Sequence, residues 1–303
     1  MTAQRQPLSH ARWHFTHGPI DIVIGADGEA DAVRAAHDAA WQRFEPLLDE
    51  LVAELPLLRQ PIAGTNPLRG VVASRMWQAC APFSSSYITP MAAVAGAVAQ
   101  ELIACYRRPG VRRAWVNNGG DIALHLTDGQ NVRIGLFADL AQLDAEAVLR
   151  AAQGQLALDG TFVVHAADGV RGVATSGWRG RSFSLGIADS VTVLARDAAS
   201  ADAAATVIAN AVNVDAPGIE RVPANALRDD SDLGAIPVTV NVPPLPADAV
   251  HDALARGADC AQALRARGHI VAAALVCQRQ VRLVVTAHTT ALAPSLLELA
   301  PTP

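Results

Sequence analysis

The segment from Gly172 to Val212, GVATSGWRGRSFSLGIADSVTVLARDAASADAAATVIANAV, constrains the fold more than any other part of the chain. A loop rich in glycine, serine and arginine leads into an apolar run, Ser190 to Ala195, and then into an alanine-rich stretch. A short apolar run followed by alanine at high density predicts a strand and then a helix. Ser200 is expected to cap that helix, which then carries Asp202 and Thr206 four residues apart. That spacing puts a carboxylate and a hydroxyl on one helix face, one turn apart. Two oxygen donors so placed suit a hard cation such as Mg²⁺, which takes few protein oxygens plus substrate phosphates.

Composition bounds what can stand beside this segment. The chain has 303 residues, enough for one large domain or two intertwined subdomains, and its 51% hydrophobic and 17% charged content describes a packed globule. A net charge of -5 argues against nucleic acid as partner. All 24 basic residues are arginine, so a Schiff-base lysine and a phosphate-loop lysine are excluded. Anion recognition must then use arginine, backbone amides or a metal. The start, MTAQRQPLSHARWHF, lacks the apolar core of a secretory signal, and Met91 to Cys105 is too short to span a bilayer. Cys80, Cys105, Cys260 and Cys277 lack C-x-x-C spacing and read as reduced thiols. The expectation is a cytoplasmic protein without membrane attachment.

Along the chain, Arg12 to Ala26 reads as a hairpin around His17-Gly18, and Glu29 to Leu58 as one or two amphipathic helices. A loop over Gln60 to Leu68, a helix over Ala73 to Cys80 and a polar loop at Ser84 to Ser86 follow. Thr89 and Pro90 are expected to open a small-residue helix from Met91 to Tyr106. That helix suits close packing in the subunit core or across a homodimer. Strands are expected at Arg112 to Val116, Asp121 to Leu126, Val132 to Leu136 and Thr161 to His165, with a helix at Leu143 to Ala152. Asn213 to Ile236 reads as a loop; a strand (Val238 to Val242), a helix (Pro246 to Arg267) and a hairpin (Val271 to Cys277, Val281 to Ala287) close the chain. The fold class is α+β, with mixed and antiparallel sheets packed by helices in one domain over 1–303.

Two further constellations carry chemistry. Asn117-Asn118-Gly119-Gly120-Asp121 joins two strands. It reads as a tight turn needing positive φ, or as a place where bare backbone meets a ligand or metal. Thr175-Ser176-Gly177-Trp178-Arg179-Gly180-Arg181 reads as a solvated strand-end loop, or as a cradle of hydroxyls, glycines and guanidinium groups for phosphate.

Taken in order, these motifs resemble the flavin-transferase superfamily typified by ApbE, the Mg²⁺-dependent FAD:protein FMN transferases. That family carries N-x-G-G-D-I, then T-S-G, then A-D-A-x-A-T; here stand Asn117 to Ile122, Thr175 to Gly177 and Ala201 to Thr206. The match covers roughly residues 88 to 212, and ITPMAAVAGAVA, NNGGDIAL and ATSGWRGRSFSLGIADSVTVLA are similar to one branch in particular. The resemblance implies an ApbE-like fold, with Asp202, Thr206 and a main-chain carbonyl near Asn118 holding Mg²⁺. It implies FAD or FMN as cofactor or substrate on Asn117, Asn118, Gly119, Gly120, Asp121, Thr175, Ser176, Gly177 and Arg181, and an acceptor protein as partner. Arg179 stands where the family has tyrosine in S-G-x-Y-x-R.

The chain departs from the family pattern at two places. The family's G-x-x-K-G-x-x-x-D aligns with Ala92 to Gln100, putting Ala95 for the lysine and Gln100 for the aspartate. The H-x-x-D-P-x-T-G motif before the strand is missing, which leaves Asp189, with Ser176, as candidate catalytic groups. Three readings stay open: FMN transfer or FAD pyrophosphate hydrolysis, non-catalytic flavin or nucleotide binding, and an enzyme using the same pocket for an unrelated small molecule.

Overall fold

The computed structural model describes residues 2–9, 11–136 and 160–285. The chain divides into two compact units: Met1–Asn131 with His165–Ala174 and Ala195–Ala203, and Val132–Val164 with Thr175–Leu194 and Ala204–Pro303. The helix expected at Leu143 to Ala152 lies outside the described residues. Strands and helices are mixed in sequence and the ladders are antiparallel, so the α+β class holds.

In the first unit, β1 (Gln4–Leu8), β2 (Arg12–His17), β3 (Ile20–Gly28), β4 (Val111–Asn118) and β5 (Asp121–Leu126) pair as an antiparallel meander. On the far side of β5, Ile122 and Ala123 pair with Val173 and Gly172 of β8 (Gly172–Ser176). Ile20, Ile22 and Ile24 alternate inward along β3, as a strand with one covered face demands. Three helices follow β3: α1 (Ala30–Phe44), α2 (Leu47–Ala53) and α3 (Leu55–Leu58), where the periodicity had indicated one or two. Next come α4 (Val71–Cys80) and α5 (Val94–Ile103), and α5 packs on β4 and β5.

An aromatic core fixes α1 to the sheet. Phe15 on β2 meets Trp41 edge-on at 5.1 Å between centroids and Phe44 at 5.4 Å. Behind them, His37 Nδ1 lies 2.7 Å from the Tyr106 hydroxyl, both side chains buried. At the helix surface, Arg43 bonds both Glu50 and Glu101, and Arg75 takes the other oxygen of Glu101. Burial pushes the Glu101 carboxyl up, but the two guanidinium groups outweigh it and hold it below its usual range.

The second unit holds β9 (Ser190–Ala195) over all but its last residue, hydrogen-bonded to β12 (Ala272–Cys277), which in turn pairs with β13 (Gln280–Val284). All six residues of β9 are buried, which explains its unbroken apolar character. Two smaller ladders accompany it: β6 (Asn131–Leu136) with β7 (Gly160–His165), and β10 (Glu220–Pro223) with β11 (Pro237–Asn241). The chain enters this unit partway along α6 (Ala198–Ala211), and it also contains α7 (Ala224–Leu227) and α8 (Ala247–Ala266), the last packed on β12 and β13.

Four local expectations are corrected. Gly172–Ser176 is a strand rather than loop, because β5 supplies a partner ladder that no local pattern announces. Thr89 caps a short 3₁₀ turn, Pro90–Ala93, through the Met91 N–H, and the α-helix proper begins only at Val94. Asn213 to Ile236 contains β10 and α7. The α6 cap is Asp197, whose carboxylate accepts both the N–H and the hydroxyl of Ser200 at 2.9 Å; Ser200 already lies inside the helix.

Replacing Tyr106 by Phe leaves His37 Nδ1 buried without its partner. We expect a loss of about 1–3 kcal/mol in urea unfolding, with the slope unchanged. An unaltered midpoint would show that the pair carries no stability.

Candidate functional site

Gly119 and Gly120 form the two-residue turn between β4 and β5, with φ of 65° and 111°. Positive φ at both central positions is what a tight hairpin matching strand twist requires, and two glycines adopt it without Cβ strain. Asn117 Oδ1 accepts the Gly120 N–H at 2.8 Å and braces the turn. Gly119 is exposed at the tip, while Asn118 and Asp121 beside it are buried.

Beneath the turn sits the start of α5. Asn118 Nδ2 donates to the Ala95 carbonyl at 3.1 Å. The first N–H groups of a helix have no partner within it, and the α5 cap residue, Ala93, carries no side-chain oxygen. Those donors are met from another helix. Asp202 Oδ2 accepts the Gly96 N–H at 2.9 Å, and the Ala95 backbone also bonds the carboxylate. Ala95 and Gly96 are the second and third residues of α5, where a local N-cap side chain would ordinarily bond.

The favour is returned by Gln100, whose Oε1 accepts the Ala199 N–H at 3.0 Å in the first turn of α6. The two helices thus cap each other: α6 supplies Asp202 to α5, and α5 supplies Gln100 to α6. Close approach makes this reach available. A Cβ on Gly96 would stand 2.3 Å from the Ala198 carbonyl oxygen and 2.9 Å from Asp202 Cβ.

Asp202 is half-buried, and its charge is not neutralised. Burial raises its carboxyl to about 7, against the downward pull of the Gly96 and Ala95 backbone groups. Among the described residues no arginine counters it. Cys80, itself buried, has its thiol pushed up by burial and by the Asp202 charge. Among the described residues no three His, Cys, Asp or Glu side chains cluster. A cation here would therefore rest on one carboxylate together with hydroxyl and carbonyl oxygens. Thr206 lies one turn further along α6. Among the described residues the hydrogen bonds to the Asp202 carboxylate come from backbone N–H groups, so burial of its charge is only partly compensated.

The remaining candidates belong to the second unit. Thr175 and Ser176 end β8, half-buried, and the Thr175 hydroxyl lies 2.9 Å from that of Thr192. Gly177 is forced: a Cβ there would come within 2.3 Å of the Asp189 carbonyl oxygen. Asp189 Oδ1 accepts the Trp178 indole N–H at 3.3 Å, and Oδ2 accepts the Gln278 N–H. The Arg179 guanidinium stacks on Trp178 at 4.8 Å, while Arg181 is exposed. The structure therefore gathers Asn117, Asn118, Gly119, Gly120, Asp121 and Asp202 in one unit, and Thr175, Ser176, Gly177, Arg181, Asp189 and Thr206 in the other.

The cross-capped helices and the glycine turn coincide with the motifs that carry the ApbE resemblance, and a family model described as AbpE bacteria matches residues 3–283. The chain belongs to that family. Among its relatives are a UPF0280 protein of Methanospirillum hungatei, 37% identical over 209 residues, which cover 67% of this chain and 76% of that protein. A UPF0280 protein of Methanopyrus kandleri is 36% identical over 200 residues, 65% of this chain and 72% of the relative. Two solved structures span nearly the whole chain. The ApbE protein of Thermotoga maritima has a TM-score of 0.49 at 11% identity, covering 96% of this chain and 98% of that one. The apo flavinyl transferase ApbE of Pseudomonas stutzeri has a TM-score of 0.42 at 13% identity, covering 96% and 97%.

Sequence reasoning had marked Ala95 and Gln100 only as departures from the family pattern, and had not singled out Gly96. Their part in the site lies in backbone hydrogen bonds, to which side-chain chemistry gives little clue. The one available signal was a glycine inside a helix otherwise built of good formers.

Two outcomes follow from this geometry. Gly96→Ala should cost about 2–4 kcal/mol, because a carbonyl oxygen of the facing helix backbone cannot yield as a side chain would; a denaturant midpoint within error of wild type would contradict the contact. Without divalent cations, the Asp202 carboxyl favours the folded state below its unfolded value of 3.8, and this contribution is lost as pH rises through about 7. Relative to Asp202→Asn, wild type should therefore lose stability across that window and stay level above it. A pH-independent difference would refute the burial argument.

Proposed function

We propose that the chain binds a flavin dinucleotide together with Mg²⁺ and acts on its pyrophosphate. The observation that carries this reading is Asp202: a desolvated carboxylate with no arginine partner among the described residues, fixed near a glycine turn whose tip, Gly119, is exposed. Asp202 and Thr206 would hold the cation, with the main-chain carbonyl of Asn118. When bound, the cation would neutralise pyrophosphate charge and polarise its phosphorus–oxygen bond.

The chain's own residues have separate tasks. Gly119 and Gly120 let the backbone approach the dinucleotide, and Asn118 ties that turn to α5 through Ala95. Thr175, Ser176, Gly177 and Arg181 are the candidate nucleotide contacts of the second unit, with arginine alone available for the phosphate charge. In group transfer, an acceptor hydroxyl loses its proton and its oxygen bonds the FMN phosphorus, while the bond to AMP breaks. With water as acceptor, the products are FMN and AMP.

A second reading, nucleotide binding without turnover, draws support from Asp189. Both its oxygens accept protein hydrogen bonds, from Trp178 and from Gln278, so it serves as the brace of its loop. Ser176 is then left as the remaining candidate catalytic group, without a neighbouring base in sequence.

Incubating the purified chain with FAD and Mg²⁺ separates the two. The first reading expects AMP release, with FMN free or added to protein mass, and a fall of at least about a hundredfold in Asp202→Ala. FAD affinity without AMP release supports the second. No FAD binding in any condition removes both.

A further inference from the structure

We infer that Gln100 is the residue that positions Asp202, an inference that rests on Asp202 being the cation ligand. The opening N–H groups of α5 need an acceptor, and Asp202 provides it at Gly96. Asp202 can do so only while α6 keeps its rotation and its height along α5. Asp197 caps α6 locally through Ser200, within its own helix end rather than toward α5. Among the described residues, the bond from the Ala199 N–H to Gln100 Oε1, three residues before Asp202, is the side-chain bond that ties the first turn of α6 to α5.

Gly96 and Gln100 work as a pair. They stand four residues apart on α5, one turn, and so share a face. Gly96 sets how near the helices come, since its missing Cβ leaves room for the Ala198 carbonyl. Gln100 then sets the register by holding the next N–H, that of Ala199. The carboxylate is thereby pinned from both directions, through its own bond to α5 and through the backbone that carries it.

The amide also has an electrostatic consequence. An acid at this position would supply the same acceptor oxygen but bring a second negative charge to the junction of the two helices. Gln100 provides the acceptor without the charge, so among the described residues Asp202 remains the sole acidic side chain bonding across this junction. Positioning by a neighbour of a metal ligand is commonly worth about ten- to a hundredfold in affinity.

The test uses the full chain and Mn²⁺ as a paramagnetic probe, with amide hydrogen exchange read at Gly96 and Ala199. Gln100→Leu keeps the side-chain bulk and removes the acceptor; Gln100→Glu restores the acceptor. We expect Gln100→Leu to weaken Mn²⁺ binding about tenfold or more and to speed exchange at Gly96 as well as Ala199, with Gln100→Glu recovering protection at both amides. Loss of protection at Ala199 alone, with Gly96 and Mn²⁺ affinity at wild-type levels, would overturn the inference. Should wild type bind no Mn²⁺, the proposed function fails by itself. Exchange at Gly96 in Gln100→Leu then still decides whether Gln100 positions Asp202.

Discussion

Two facing helix N-termini, α5 capped by Asp202 of α6 and α6 held by its own Asp197 and by Gln100 of α5, form the constraint on which the rest of this site depends. Helix ends in a protein interior must find acceptors, and a local serine or aspartate usually supplies them. α5 begins at Val94 after Ala93, with no such residue to hand, so its acceptor comes from Asp202 more than a hundred positions away in sequence. The price is a carboxylate drawn out of water and raised to about 7, with no cationic side chain paired to it among the described residues. The bond that completes α5 offsets only part of that burial, since the carboxyl stays well above its usual range.

The close approach of α5 and α6 explains why the neighbourhood tolerates so little bulk. Gly96 lies against Ala198, and the turn at Gly119 and Gly120 adopts a backbone that side chains avoid. Asn118 links the two features, donating to the carbonyl of the very peptide whose N–H bonds Asp202. In the second unit a parallel economy holds Gly177 against the backbone of Asp189, while Asp189 itself anchors Trp178 and Gln278. Where the family keeps a histidine motif, this chain has a carboxylate already engaged in structure. Family membership transfers the fold; the chemistry must be argued from the residues that remain.

Much of this was legible in the amino-acid sequence. β9 and the hairpin of β2 and β3 follow directly from alternation, continuous apolarity and turn residues, and the Gly119-Gly120 turn from its composition. Asp202 alone reads as an acid favouring a helix N-terminus, and it stood out through Thr206 one turn on and the order of the three motifs. Less visible were features created by distant partners. β8 looks like loop because its ladder comes from β5, and α5 starts late because Ala93 breaks from helical geometry just after the 3₁₀ turn. Gln100 looked like a lost aspartate, since sequence shows which atom is missing but not which N–H the remaining oxygen accepts.

The central claim is that Asp202, while capping α5, is a cation ligand. A crystal of the full chain grown with Mn²⁺ and FAD tests it directly through the anomalous signal of the metal. The account predicts an anomalous peak bonded to the Asp202 carboxylate, with the Gly96 N–H bond retained. A well-ordered Asp202 bonded only to backbone N–H groups, with Mn²⁺ bound elsewhere or absent, would contradict it.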